Sequence, residues 1–209
     1  DKEDGTLKKN ATFTVSSTKY KVTKTGKSAT VQYMGPIKKT AKTVKIPDTV
    51  PYKGTKYKVT SIAASACKNL KKVTKVTIGK NVTSIGKNAF NGCSKLKTVK
   101  GCSTLAVIGS KAFYKCTSLE KVASSKTLTE IGSKAFYNCK KLKSYTIGKY
   151  VKNIGSYAFY KCSSLTSITI PEGVTRIGSY AFYYCSSLYK VINCSNLSLS
   201  KGSSSNGYV

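Results

Sequence analysis

Between Val59 and Leu199 the apolar residues of this chain fall on a template that repeats every 23 residues. The dipeptide Ile-Gly recurs at Ile85-Gly86, Ile108-Gly109, Ile131-Gly132, Ile154-Gly155 and Ile177-Gly178, with Ile62-Ala63 one period upstream. Each isoleucine opens the string I-G-x-x-A-F-x-x-C-x-x-L, represented in its phenylalanines by Phe90, Phe113, Phe136, Phe159 and Phe182. A last apolar position precedes the next isoleucine, at Val82, Leu105, Leu128, Val151, Val174 and Leu197. A constant period sets the architecture before any single residue does, because one such unit cannot bury its apolar side alone and must stack on its neighbours.

Within a unit, A-F-x-x-C-x-x-L spaces apolar residues three and four apart, which predicts a short helix burying one face. The following L-x-x-V-x-I ends in alternation, clearest at Leu165, Ile168 and Ile170, and predicts a strand running into the turn Pro171-Glu172-Gly173. A second extended piece, Val174 to Ile177, leads into the next unit. The expected fold is therefore an α/β repeat: a solenoid of 23-residue coils, each with a short strand, a turn and a short helix.

The ends depart from the template. The first coil is degenerate, with Cys67 in the phenylalanine position and Leu70 in the cysteine position. Residues 11–60 alternate at Thr12 to Val15, Tyr20 to Val22, Thr30 to Tyr33 and Tyr57 to Val59, broken by Gly26, Gly35-Pro36 and Gly54, which predicts β-hairpins. These either cap the solenoid or form a separate small β domain. The expected division is a flexible segment at 1–10, the hairpins at 11–60, six coils at 61–199, and a Ser/Gly-rich tail or linker at 200–209.

Charge and chemistry narrow the function. With 37 Lys+Arg against 7 Asp+Glu, the formal charge is +30, and Arg176 is the only arginine. Histidine is absent, which removes the usual general base and the commonest zinc ligand. The acids include no evident pair, no phosphate loop or zinc spacing appears, and no apolar run is long enough to span a membrane. We expect no enzyme activity, no cofactor and no metal. Five of the eight cysteines, Cys93, Cys116, Cys139, Cys162 and Cys185, share one core position, which points to buried inert thiols. A disulfide between neighbouring coils is within reach but poorly oriented.

The I-G-x-x-A-F-x-x-C-x-x-L core and the I-P-E-G-V-T-R-I-G link at 170–178 resemble the BspA-type leucine-rich repeat family. That resemblance implies a right-handed solenoid, export from a bacterium to the extracellular space or cell surface, and a role in recognition or adhesion. Two sets of residues are candidates for ligand contact. Tyr114, Tyr137, Tyr160 and Tyr183 follow the repeating phenylalanine and should form a ladder, with Tyr157 and Tyr180 in a neighbouring row and Tyr184 and Tyr150 nearby. Their rings either shield the coils or offer an aromatic strip to a partner. The expected concave strand face carries Lys97, Lys100, Lys121, Lys143, Tyr189 and Lys190.

The partner expected from these features is an extracellular protein, a glycan or an anionic wall polymer, bound by a monomer. A structural spacer or cationic wall anchor within a larger secreted protein is the alternative. Nucleic acid ranks below both, because the residue of bidentate phosphate and base recognition is nearly missing.

Overall fold

The computed structural model describes residues 7–199; the expectations for 1–6 and for the 200–209 tail lie outside the described residues. Six strands precede the repeats: β1 (Thr12–Val15), β2 (Thr18–Lys24), β3 (Thr30–Pro36), β4 (Thr43–Ile46), β5 (Thr49–Tyr52) and β6 (Thr55–Ile62). The coils then supply β7 (Lys75–Ile78) and β8 (Ser84–Ile85), β9 (Thr98–Lys100) and β10 (Val107–Ile108), β11 (Lys121–Val122) and β12 (Glu130–Ile131). They continue with β13 (Asn153–Ile154), β14 (Ser167–Ile170), β15 (Arg176–Ile177) and β16 (Lys190–Asn193).

Two ladders run along the stack. The first joins β1, β2, β3, β6, β8, β10, β12, β13 and β15 in that order, with β5 paired to β6 in the same 10-stranded sheet. Apart from the antiparallel β5–β6 pair, its strands pair parallel from β3 onward, in a register that places each template isoleucine beside the next: Ile62, Ile85, Ile108, Ile131, Ile154 and Ile177. The second ladder joins β4, β7, β9 and β11, stops, and resumes as β14 paired with β16. The hairpin strands and the coils thus share one sheet, and the buried residues of both belong to one hydrophobic cluster.

The predicted short helix is not there. We number the positions of each coil from its isoleucine as zero, coil 1 starting at Ile62 and coil 6 at Ile177. Position three has left-handed backbone in every coil, at Ser65, Asn88, Lys111, Lys134, Tyr157 and Tyr180, with φ between 56° and 60°. Position seven does so as well, at Asn69, Gly92, Lys115, Asn138, Lys161 and Tyr184. An α-helix admits no such residue. The segment is instead a chain of tight turns, as in Ala89 N–H to Gly86 O (3.1 Å), Asn91 N–H to Asn88 O (3.1 Å) and Cys93 N–H to Phe90 O (3.1 Å). Between those bonds, alternate amides reach the next coil: Asn88 to Ser110 O (3.0 Å), Phe90 to Ala112 O (2.8 Å) and Gly92 to Tyr114 O (2.8 Å). Spacing by three and four appears in both conformations because both bury every third or fourth side chain. A left-handed non-glycine residue costs about 1–2 kcal/mol, and the coil-to-coil bonds offset it.

Stacking at ladder distance explains the repeating residues. The position-five rings form a column, Phe90, Phe113, Phe136, Phe159 and Phe182, with neighbouring centroids 5.1–5.3 Å apart. The glycine at position one is steric: a Cβ on Gly109 would stand 2.6 Å from the carbonyl oxygen of Ile85 in the coil before. In coil 1 the small Cys67 leaves room for the buried ring of Tyr33 on β3, whose hydroxyl meets the thiol.

The cysteine position has a polar reason as well as a steric one. Each thiol donates to a backbone oxygen of the preceding coil: Cys116 to Phe90 O, Cys139 to Phe113 O, Cys162 to Phe136 O and Cys185 to Phe159 O, at 3.1–3.2 Å. Those same oxygens already accept the turn bond from their own coil's cysteine amide, so the thiol meets their second lone pair. All eight cysteines are free, seven of them buried and Cys194 exposed.

Two predictions follow from this backbone. Lys115→Gly should be neutral or stabilise by up to about 1 kcal/mol, because it relieves a left-handed lysine. Lys115→Val should destabilise by about 2 kcal/mol, a β-branched residue being worst placed there. Urea midpoints at constant slope measure both; a glycine variant less stable by about 1 kcal/mol is the result a helix would give. The second concerns the thiols. Burial pushes Cys93 up to about 11 and Cys67, Cys102 and Cys185 up to about 12, from an ordinary 9.0. The folded chain holds these protons more tightly than the unfolded one, so their contribution to stability is complete below pH 9.0 and is lost as pH climbs toward about 12. A thiol reagent at about pH 9 should therefore modify one cysteine, Cys194, per folded chain and all eight after denaturation.

Candidate functional site

The turn segment that replaces the helix creates a surface of its own. Position-six side chains point outward between the buried phenylalanine at five and the left-handed residue at seven, and from coil 3 to coil 6 all are tyrosine. Their backbone oxygens are fixed by coil-to-coil bonds: Lys115 N–H to Tyr137 O (2.8 Å), Asn138 N–H to Tyr160 O (2.7 Å) and Lys161 N–H to Tyr183 O (2.9 Å). Ladder spacing suits ring stacking. Tyr114 and Tyr137 stack at 4.7 Å, Tyr137 and Tyr160 at 4.6 Å, and Tyr160 meets Tyr183 at 5.9 Å with a 39° tilt.

The neighbouring row joins this column. Tyr157 and Tyr180 stack at 5.0 Å, Tyr157 lies 5.4 Å from Tyr160, and Tyr180 meets Tyr183 edge-on at 5.4 Å. Tyr184 closes the group, 4.3 Å from Tyr183 and edge-on to Tyr160 at 5.6 Å. Seven of the tyrosines singled out in the sequence, Tyr114, Tyr137, Tyr157, Tyr160, Tyr180, Tyr183 and Tyr184, thus form one continuous ridge, partly buried except for the more exposed Tyr184. Burial, then the adjoining Tyr160 and Tyr114, raises the phenol of Tyr137 above its ordinary 10.0.

Sequence reasoning missed the lysines of this ridge. Lys111 and Lys115 place ammonium groups 5.8 and 5.4 Å from the ring centroid of Tyr114, Lys134 lies 5.4 Å from that of Tyr157, and Lys161 lies 5.5 and 5.3 Å from those of Tyr160 and Tyr184. Each occupies position three or seven, so the signal was present in the repeat, but only the left-handed backbone turns these stems toward the rings. A cation over an exposed ring contributes about 0.5–1 kcal/mol. The middle rings spend their faces on each other, so the ridge offers hydroxyls, ring edges and ammonium groups to a partner.

The second candidate set lies elsewhere. Lys97, Lys100, Lys121, Lys143, Tyr189 and Lys190 are exposed along the second ladder, separated from the ridge by the buried cysteine and leucine positions of each coil. Lys100 and Lys121 border a shallow groove of about 360 Å³ with Thr98, Ala123 and Ser144. Tyr189 is 82 % exposed beside the terminal strand β16, where Val191 and Ile192 are also exposed. Tyr150 does not join the ridge; it lines a groove at the corner after the second ladder. Glu120 and Glu130 stand at positions twelve and twenty-two of coil 3, on different sides of it. Among the described residues no helix is long and apolar enough to cross a membrane, and no cluster of three metal-ligating side chains occurs.

Solved structures share this architecture. A leucine-rich cell surface protein from Faecalibacterium prausnitzii A2-165 is 29 % identical with a TM-score of 0.68, covering 89 % of this chain and 55 % of its own. The leucine-rich repeat protein of T. pallidum is 28 % identical with a TM-score of 0.75, covering 85 % of this chain and 79 % of its own. One from Bacteroides ovatus ATCC 8483 is 30 % identical with a TM-score of 0.70, over 86 % of this chain and 52 % of its own. The chain therefore spans about half the length of the F. prausnitzii and B. ovatus proteins. No curated protein matches it. The BspA type leucine-rich repeat region matches residues 60–189 in six copies, and with 23-residue coils stacked through every copy the chain belongs to that family.

Proposed function

We propose that this chain is a non-catalytic recognition or adhesion module of an exported bacterial protein, presenting its repeat surface to an extracellular protein or glycan. The observation that carries this reading is the tyrosine and lysine ridge. Tyrosine is the side chain that binding surfaces favour, since it brings a large rigid area at low entropy cost and a hydroxyl that stays hydrated. Here seven of them are pre-stacked on a rigid backbone, so little ordering remains to be done on binding. The described cell surface location of the F. prausnitzii protein is consistent with the same setting.

A second reading is favoured by a different observation. Among the described residues the one ion pair is Lys80 with Asp48 at 3.6 Å, in a chain whose formal charge is +30. Diffuse charge of this kind suits a spacer or cationic anchor on an anionic wall polymer. It suits sequence-specific nucleic-acid recognition less well, with one arginine in the chain.

Immobilised protein challenged with purified extracellular matrix proteins, glycans and wall polymers separates these readings. Recognition predicts saturable binding to a few ligands that survives about 0.15 M salt, where charge is screened beyond about 8 Å. Tyr160→Ala combined with Tyr183→Ala should then weaken it at least about tenfold, the loss of one or two interface anchors. Binding to every anion, abolished by salt and indifferent to both substitutions, is the result that gives the anchor its place.

A further inference from the structure

Away from the ridge several departures from the template coincide at the boundary between coils 3 and 4. Position fourteen holds Val76, Val99, Val122, Ile168 and Val191 in the other coils but Tyr145 in coil 4. That ring is buried, 5.0 Å from Phe136 and 5.7 Å from Phe159. Residues 143–147 form no strand, so the second ladder ends at β11 and restarts at β14. In coil 3, position sixteen is the exposed Ser124, and in coil 2 Gly101, where coils 1, 4 and 5 bury Ile78, Ile147 and Ile170. Ser125 turns inward instead and donates to Leu105 O at 2.6 Å. Gly148 then lies so close that a Cβ would stand 2.6 Å from the Ser125 oxygen.

The missing bulk at Ser124 leaves an open groove of about 650 Å³, lined by Ser124, Lys126, Thr127, Thr146, Lys149 and Tyr150 among others. Its volume falls within the range of about 300–1,000 Å³ usual for ligand sites. We propose that it binds an acidic oligosaccharide, a hexuronate ring resting on Tyr150 with its carboxylate between Lys126 and Lys149.

Each part of that ligand answers a feature of the groove. Tyr150 is 52 % exposed and is the only aromatic residue at position nineteen of any coil, so it is no by-product of the repeat. The flat C–H face of a pyranose packs on such a ring. Lys126 and Lys149 share position eighteen of adjacent coils, which sets their backbones one ladder spacing apart, about 5 Å. Both are exposed, and no carboxylate lines the groove. The Lys149 ammonium lies 4.9 Å from the Tyr150 centroid, so ring and cation form one unit. Thr127, whose hydroxyl is held 3.0 Å from Leu105 O, and the exposed Ser124 and Thr146 face sugar hydroxyls. A second groove, lined by Thr98, Lys100, Lys121, Ala123 and Ser144, lies on the same two coils and their neighbour and offers room for further sugar units. A phosphate polymer without sugar rings would engage the lysines and hydroxyls but has no flat C–H face to rest on the Tyr150 ring.

Titration calorimetry of the full chain at about 0.15 M salt tests this with three probes: tetragalacturonate, a neutral galactose tetrasaccharide, and a glycerol-phosphate oligomer of equal charge to the first. Tetragalacturonate should bind saturably at one site, the neutral sugar and the phosphate oligomer at least about tenfold more weakly. Tyr150→Ala, and separately Lys126→Gln with Lys149→Gln, should each weaken tetragalacturonate about tenfold or more, as expected for a lost stacking platform and lost charge-assisted bonds. All three side chains are exposed, so the fold persists, and Lys56→Gln at the exposed start of β6 should leave the affinity unchanged. The proposal is overturned by no binding of tetragalacturonate, by equal binding of the phosphate oligomer or neutral sugar, or by wild-type affinity in Tyr150→Ala.

Discussion

Backbone hydrogen bonding between successive coils holds this protein together, and nearly every other regularity derives from it. Strand amides reach back to the coil before, as in Gly109 N–H to Ile85 O at 2.8 Å, while turn amides reach forward, as in Phe113 N–H to Ala135 O at 2.8 Å. With both sides of the coil fixed in this way, equivalent residues lie one ladder spacing apart for the length of the array. Phenylalanines then stack on phenylalanines and tyrosines on tyrosines without any further design. The same spacing forbids a side chain at the glycine of position one and gives each thiol an oxygen to meet.

Because the stack copies each solution from coil to coil, the protein carries surfaces of two kinds. The ridge is periodic: its tyrosines recur at one position and its lysines at two, and its extent grows with the number of coils. The groove beside Tyr150 is singular, made where coil 4 substitutes a tyrosine for a valine inside and coil 3 a serine for an isoleucine at the corner. A periodic surface suits an extended partner contacted at many equivalent points. A singular one suits a compact ligand group. A scaffold of stacked coils accommodates both, since a local departure disturbs only the neighbours it touches.

Charge acts on both. With histidine absent and acids few, the surface field is positive throughout and is carried by lysine. On the ridge the long lysine stems lie against rings and present their ammonium groups at the rim. At the groove two lysines hold the same position of adjacent coils, and no acid is among its lining residues. In the reading proposed above, the field would steer anionic partners toward the array and the aromatic side chains would decide where one is held.

The period, the identity of the buried positions and the family were legible in the sequence, because a 23-residue repeat of Ile, Phe, Cys and Leu is a statement about burial that no local conformation erases. The tyrosine column was legible for the same reason: equal positions in equal coils must align. The turn segment was not, since apolar residues spaced by three and four bury one side of a helix and of a left-handed turn chain alike. Only the competition between bonds within a coil and bonds to the next one selects the turns, and that competition exists only once the coils are stacked. Nor could spacing place Tyr150 or the lysines over the rings. Tyr150 differs from the ridge tyrosines in which side of the coil it occupies, and the lysine stems are aimed by backbone angles that no side-chain pattern records. The sequence by itself determined what is buried and what repeats; the tertiary structure decided how the backbone between those positions turns, and so which exposed residues meet.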